Sequence, residues 1–247
     1  MIDLYYYTSP NARKALIMLE EVGLPYRVQW VDITAGDQHE QAYARINPNG
    51  KIPALSDDDG PGGRPVVLFE SGAILLYLAE KTGRLIPADP IDRLNVIKWL
   101  FWQTSSQGPM LGQAAHFVSH ASQRGIDVEY AVERYRNEAR RLYGVLEGQL
   151  AAQDFICGQF SIADIAAFPW VRVAKGQGVR IEDFPRVEQW CATIAARPSA
   201  RKKLDRDAAT LAAAKTGYYD DATWTKLFGS TAGRSPTAAS PQQQGLR

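Results

Sequence analysis

Cysteine is scarce in this sequence: there are two in 247 residues, Cys157 and Cys191, without CxxC spacing, and only three histidines accompany them. That argues against a disulfide framework and against a structural zinc site, and leaves both cysteines as small buried hydrophobes. His116 and His120 stand four apart but lack a third ligand nearby, so no metal is expected. An excess of either charge is also missing, with 28 basic against 27 acidic residues, so no overall field gathers nucleic acid or an anionic membrane. No uninterrupted apolar run approaches the ~20 residues that span a bilayer. The first residues, which include Asp3, enter a strand-like pattern instead of the basic start and apolar run of a signal peptide. A cytoplasmic protein with neither nucleic acid nor membrane as partner is expected.

What is present falls into two halves. Residues 2–7 read as a short strand; Ser9-Pro10 then reads as an N-cap followed by a first-turn proline. Ala15, Met18, Leu19 and Val22 follow at helical spacing, and Gly23 stops the helix. Tyr26, Val28 and Trp30 alternate with Arg27 and Gln29 as a second strand, completing a βαβ unit. After a polar loop, residues 47–55 give a turn and a third strand, and residues 66–69 a fourth, across a Gly/Pro-rich connection containing Asp59-Gly60. Residues 71–81, ended by Gly83, close the unit as a helix. The order βαβ then ββα predicts a small α/β domain at 1–83, with a proline-containing linker at 84–90.

From residue 91 the strand pattern disappears, and 91–228 read as an all-α helical bundle domain. Gly108-Pro109 are expected to break or kink its first helix; residues 127–150 form a long amphipathic helix, and Ser161 with Asp164 resemble a capping box that starts a buried helix at 162–174. A short aromatic segment, 218–228, is expected to dock on the helical domain. The tail at 229–247, rich in Ser, Thr, Pro and Gln, reads as disordered.

Four local features in register carry a resemblance: Ser9-Pro10-Asn11 opening the first helix, Lys51-Ile52-Pro53 before the third strand, Glu70-Ser71-Gly72 at the third helix, and the Ser161 to Asp164 box. Together with the order of the two domains they resemble the glutathione transferase superfamily over residues 1 to about 205. Details such as Trp99-Leu-Phe-Trp-Gln, Gly108-Pro-Met-Leu-Gly-Gln and Tyr130-Ala-Val-Glu-Arg-Tyr are most similar to its nu class, the disulfide-bond reductase type that is akin to the fungal nitrogen-regulator type. The resemblance implies a thioredoxin-like first domain, a homodimer, and glutathione as co-substrate without a metal.

On that reading Glu70 accepts from the ligand's ammonium, while the Ser71 hydroxyl and N–H at a helix start suit the adjacent carboxylate. The proline matching Pro53 is cis in the family, which leaves the backbone of Ile52 free to bond the cysteinyl part of the ligand. Lys51 and Gln38 would hold the glycyl carboxylate. Arg134 matches an arginine that reaches from the helical domain toward the ligand; the alternative is a surface pair with Glu138. Catalysis falls to Ser9 and Asn11 as donors to the glutathione sulfur, with Thr8 and Tyr7 as rival donors. A thiol of pKa ~8.5 needs about two units of depression, roughly 2.7 kcal/mol, to be mostly ionised at neutral pH. A helix end supplies ~0.3–1 kcal/mol and one hydrogen bond to a charged acceptor about 1.5–3 kcal/mol, so a protein cysteine is not required.

The expected activity is transfer of glutathione to a small electrophile, or reduction of a disulfide by it. The alternative is a non-catalytic glutathione-binding regulatory or scaffold protein. Trp99, Phe101, Trp102, Phe117 and Trp170 sit at helical spacing that makes most of them core, with an electrophile pocket between the domains as the other reading.

Overall fold

The computed structural model describes residues 1–126, 128–207 and 219–229. Its first part is a four-stranded mixed sheet in the order β2-β1-β3-β4. Strand β1 (Ile2–Tyr6) buries Ile2, Leu4 and Tyr6 on one face and pairs in parallel with β2 (Tyr26–Trp30), Ile2 opposite Tyr26. On its other side β1 pairs antiparallel with β3 (Ala54–Asp57), which pairs antiparallel with the edge strand β4 (Val66–Phe69).

Helix α1 (Pro10–Val22) connects the two parallel strands. Ser9 caps it, its Oγ accepting from the Ala12 N–H at 3.2 Å, and Gly23 ends it in the left-handed conformation at φ 72°; a cap of this kind contributes ~1 kcal/mol. The short helix α2 (Gln41–Ala44) lies in the loop before β3. Helix α3 (Ser71–Thr82) follows β4, and Glu70 just before it adopts φ 72°, ψ 114°. A non-glycine residue held there costs ~1–3 kcal/mol, and such conformations concentrate where a side chain must be aimed.

The second part is helical. Helix α4 (Pro90–Trp102), capped by Asp89, runs through a π-turn at Gln103–Gln107 into α5 (Gly108–Ala115) and a second π-turn at His116–Ala121. The chain therefore stays helical through Gly108-Pro109; of the expected break or kink there is no break, and the helix is distorted locally by the π-turn before the proline. The Gly108 N–H reaches back to the Gln103 carbonyl, and the widened turn accommodates the proline, which has no N–H to donate. Helix α6 (Glu129–Gln149) matches the long helix read from sequence, whose expected first residue, Asp127, lies outside the described residues.

Helix α7 (Ile162–Val171) begins with the capping box: the Ser161 N–H donates to Asp164 Oδ2 at 3.0 Å. Oδ1 of the same carboxylate accepts from the Ile156 N–H and from Trp190 Nε1, both at 2.9 Å, Trp190 belonging to α8 (Pro185–Ala195). The short α9 (Pro198–Arg201) follows, and a last helix covers Asp221–Phe228. Residues 230–247 of the expected tail lie outside the described residues. Helix α1 packs against α3 on one side and α7 on the other, so its N-terminus opens where sheet and bundle meet. A continuous core runs from Leu4, Leu16 and Leu55 through Ile74 and Val96 to Ile165 and Trp190.

Candidate functional site

The turn between β1 and α1 lines a pocket of about 370 Å³ whose walls include Tyr7, Thr8, Ser9 and Asn11, the segment from Gly50 to Ile52, and Gln38. Five of the residues singled out from sequence, Ser9, Asn11, Gln38, Lys51 and Ile52, are thus brought together.

Geometry commits one of the rival donors elsewhere. Thr8 Oγ1 donates to Asp207 Oδ1 at 2.6 Å, so its hydrogen is committed away from the pocket. Tyr7 lines the pocket as well, its ring packed on Trp30 at 5.5 Å. Ser9 accepts the Ala12 N–H through its oxygen, which leaves its own O–H hydrogen to give.

Asn11 is fixed from the other domain. Trp170 Nε1 lies 2.9 Å from Asn11 Oδ1. An indole nitrogen can only donate, so this contact assigns the carbonyl end of the amide to Trp170 and leaves the NH₂ end as Asn11's free donor group. Two donors, one hydroxyl and one amide, therefore stand at the N-terminal end of α1, where the aligned backbone dipoles also favour an anion.

The Lys51 carbonyl accepts from Tyr43 OH at 2.6 Å and Asn47 Nδ2 at 2.5 Å, holding the turn that leads to Ile52, and the Ile52–Pro53 peptide is cis. The Lys51 side chain itself is exposed. Glu70 is exposed while Ser71, the first residue of α3, is nearly buried, and Ser71 Oγ accepts from Lys14 Nζ at 3.2 Å. Gly72 has no room for a side chain: a Cβ there would lie 2.8 Å from Thr104 Cγ2 of the π-turn.

Two expected ligand contacts are differently placed. Gln38 is buried and its Nε2 donates to the carbonyls of Ile33 and Lys226, both at 3.2 Å, so neither amide hydrogen is free for a glycyl carboxylate. Arg134 is exposed on α6, is not among the residues lining the pocket, and sits 3.9 Å from Glu138.

The aromatic set read from sequence does not form the pocket wall either. Phe101 faces solvent, Trp99 meets Trp102 edge-on at 5.0 Å, and Phe117 stacks on Tyr135 at 5.3 Å. The apolar wall comes instead from the C-terminal segment, through Tyr219, Leu227 and Phe228. That segment docks on the helical domain, as expected, with Trp224 and Phe228 against His116 at 5.5 and 4.7 Å. It also reaches the first domain through the Lys226 carbonyl, which is 3.0 Å from His39 Nε2 as well.

Neither cysteine lines the pocket; both are free, and burial pushes Cys157 up to about 12 and Cys191 up to about 11. Among the described residues no group of three or more His, Cys, Asp and Glu is arranged to hold a metal, and no helix is long and apolar enough to cross a membrane.

Residues 8–81 match the sequence model of the glutathione S-transferase N-terminal domain, and residues 129–193 that of its C-terminal domain. The chain belongs to the glutathione S-transferase family. Among curated relatives of this chain is the disulfide-bond oxidoreductase YfcG of Escherichia coli, 45% identical over 206 residues that span 83% of this chain and 94% of that protein. A glutathione transferase of Burkholderia graminis, solved with two glutathione molecules per subunit, superposes with a TM-score of 0.77 at 46% identity, over 80% of this chain and 85% of the other. One from Pseudomonas putida, solved with one glutathione disulfide per subunit, gives a TM-score of 0.77 at 40% identity, over 81% and 89%. The thioredoxin-like sheet domain followed by a helical domain is thus the transferase architecture. The C-terminal helix lies beyond the last residue matched by the family models, and no periodicity in the sequence could show that it completes the pocket.

Proposed function

We propose that this transferase binds glutathione at the head of α1 and α3 and uses its thiolate to reduce disulfides or attack small electrophiles, without a protein thiol. The observation that carries the reading is the Trp170–Asn11 contact, which aims an amide donor, beside the Ser9 hydroxyl, at the place where a sulfur anion would sit. Glu70 and Ser71 would take the ligand's α-amino acid end, Ile52 its middle, and Lys51 its glycyl carboxylate. Gln38 joins them only if the C-terminal helix gives up the Lys226 carbonyl.

In disulfide reduction the glutathione thiolate attacks one sulfur of the substrate, forming a mixed disulfide and expelling a thiolate that takes a proton. A second glutathione thiolate then attacks the glutathione sulfur of that mixed disulfide, releasing the other substrate thiolate and glutathione disulfide. Two electrons pass from two glutathiones to one disulfide. The relatives solved with two glutathiones or with one glutathione disulfide per subunit support a site that takes both glutathione equivalents.

A homodimer is proposed from the surface. Ile91, Leu94 and Phe101, 73%, 60% and 65% exposed, fall on one face of α4, and the edge strand β4 exposes Val67 and Phe69.

Turnover of hydroxyethyl disulfide and of a chlorinated aromatic with glutathione tests the activity. Rates above the uncatalysed background are expected for at least one; background rates for both, with glutathione still bound, would establish a non-catalytic binding protein instead.

A further inference from the structure

Lys14 belongs to the apolar face of α1 by position and is 1% exposed. Its amine donates to two neutral oxygens, Ser71 Oγ at 3.2 Å and Gln103 Oε1 at 2.6 Å. Ser71 opens α3, and Gln103, fully buried, starts the π-turn of the helical domain. Burial of an amine is costly, and an aliphatic side chain of similar volume would pack there without that cost. The charge acting on Lys14 is the Glu70 carboxylate, which favours the ammonium, but burial outweighs it and pushes the pKa down to about 7.

The protonation state of this amine decides what Ser71 can offer. An ammonium only donates, so Ser71 Oγ must accept from it and the serine hydrogen is directed elsewhere. A neutral amine has a lone pair, which can draw the serine hydrogen inward and present oxygen lone pairs to anything above. A ligand carboxylate is bound by the first arrangement and repelled by the second. Its own charge, placed close to a buried amine, in turn favours the ammonium.

We propose that Lys14 is a positioning residue that turns the Ser71 hydroxyl toward the α-carboxylate of the ligand's γ-glutamyl group and takes up a proton when that carboxylate binds. The inference rests on the reading of the site as glutathione-binding. It identifies a proton-linked recognition element seated under the half-site, joining α1, α3 and the helical domain at one atom. Of the groups that face the amine, Glu70 and Ser71 come from the head of α3 and Gln103 from the helical domain, and of these only Glu70 is charged.

Calorimetric titration of the full chain with S-methylglutathione at pH 7.5, in phosphate and in Tris, reads the proton directly, because the blocked thiol removes the ligand's own ionisation. Uptake of a fraction of a proton up to one is expected, with affinity falling as pH is raised from 7 to 8.5. Lys14→Met should abolish the uptake and raise KM for glutathione at least tenfold, more than it lowers kcat. Ser71→Ala should weaken binding similarly, and the double variant should be no weaker than either single one. Binding without proton uptake in the wild type, or equal uptake in Lys14→Met, overturns the inference while leaving glutathione recognition intact. No binding of S-methylglutathione or glutathione overturns the glutathione reading itself, and the inference with it.

Discussion

Trp170 on α7 donates its indole N–H to Oδ1 of Asn11 on α1 across 2.9 Å, joining residues 159 positions apart. The contact decides which end of the amide is available to a bound sulfur. Asn11→Ala should therefore lower turnover by about 10–100-fold, the equivalent of a ~1.5–3 kcal/mol hydrogen bond to a charged group. Trp170→Phe, which keeps the ring and lets the amide rotate, should cost about 5–10-fold, in line with a neutral bond of ~1 kcal/mol. Both should raise the pKa of bound glutathione, followed by thiolate absorbance near 240 nm. Tyr7→Phe should have less effect than Asn11→Ala; the reverse order would give the catalytic role to the tyrosine.

Gly72 and Thr104 meet at a close seam between sheet domain and bundle. A Cβ on residue 72 would approach Thr104 Cγ2 to 2.8 Å, with Leu100 Cδ1 at 3.8 Å. Gly72→Ala should lower stability by about 1–3 kcal/mol, as overpacking does, and raise KM for glutathione because the head of α3 carries Ser71. Adding Thr104→Ser, which deletes the obstructing methyl, should recover most of both losses; urea denaturation and steady-state kinetics check the pair.

The seat of the C-terminal helix should be acid-sensitive. Burial holds His116 and His120 below the ordinary 6.5, His116 also acting on His120, and both rings pack against Phe228. With the folded value below the unfolded one, the undocked state binds more protons, so docking weakens as pH falls below about 6.5. Arg124, over the Trp224 ring at 4.8 Å and paired with Asp221, adds a further positive charge to that surface. Limited proteolysis within residues 219–229 should be faster at pH 5.5 than at pH 7.5, and the double variant His116→Gln/His120→Gln should lose most of that difference. Equal rates at both pH values in the wild type would show that these rings do not govern docking.

The exposed face of α4 gives a test of assembly. Leu94→Glu with Phe101→Glu should convert a dimer into a monomer in light scattering coupled to size exclusion, while leaving the circular dichroism spectrum unchanged. A monomeric wild type would refute the dimer.

Much of the fold was legible because its signals are local. Ser9-Pro10 and Gly23 bracket α1, alternating apolar residues mark β1 and β2, and Ser161 with Asp164 start α7, each within a few residues of its effect. The turn proposed as catalytic was legible as a place, with Ser9 and Asn11 both lining the pocket. What escaped depends on distant partners. Nothing near Gln38 in sequence announces that Lys226, 188 residues on, takes its amide. Nothing near Asn11 names Trp170. Lys14 did leave a trace: a lysine one turn before Met18, on the otherwise apolar buried side of the helix. Gly108-Pro109 marked the disturbance but not its form, because the residues that absorb the proline are the five before it, whose composition is ordinary.

Asp207 has one more consequence. Its Oδ1 accepts from Tyr6 and from Thr8, and its Oδ2 from the Leu204 N–H, so the chain leaving the bundle is tied to the residue next to Ser9. The turn that carries Ser9 is thus clasped on one flank by Asp207 and on the other by Trp170, and neither clasp belongs to the sheet domain. The aim of the two proposed donors, Ser9 and Asn11, is therefore a property of the whole chain and not of its first eighty residues.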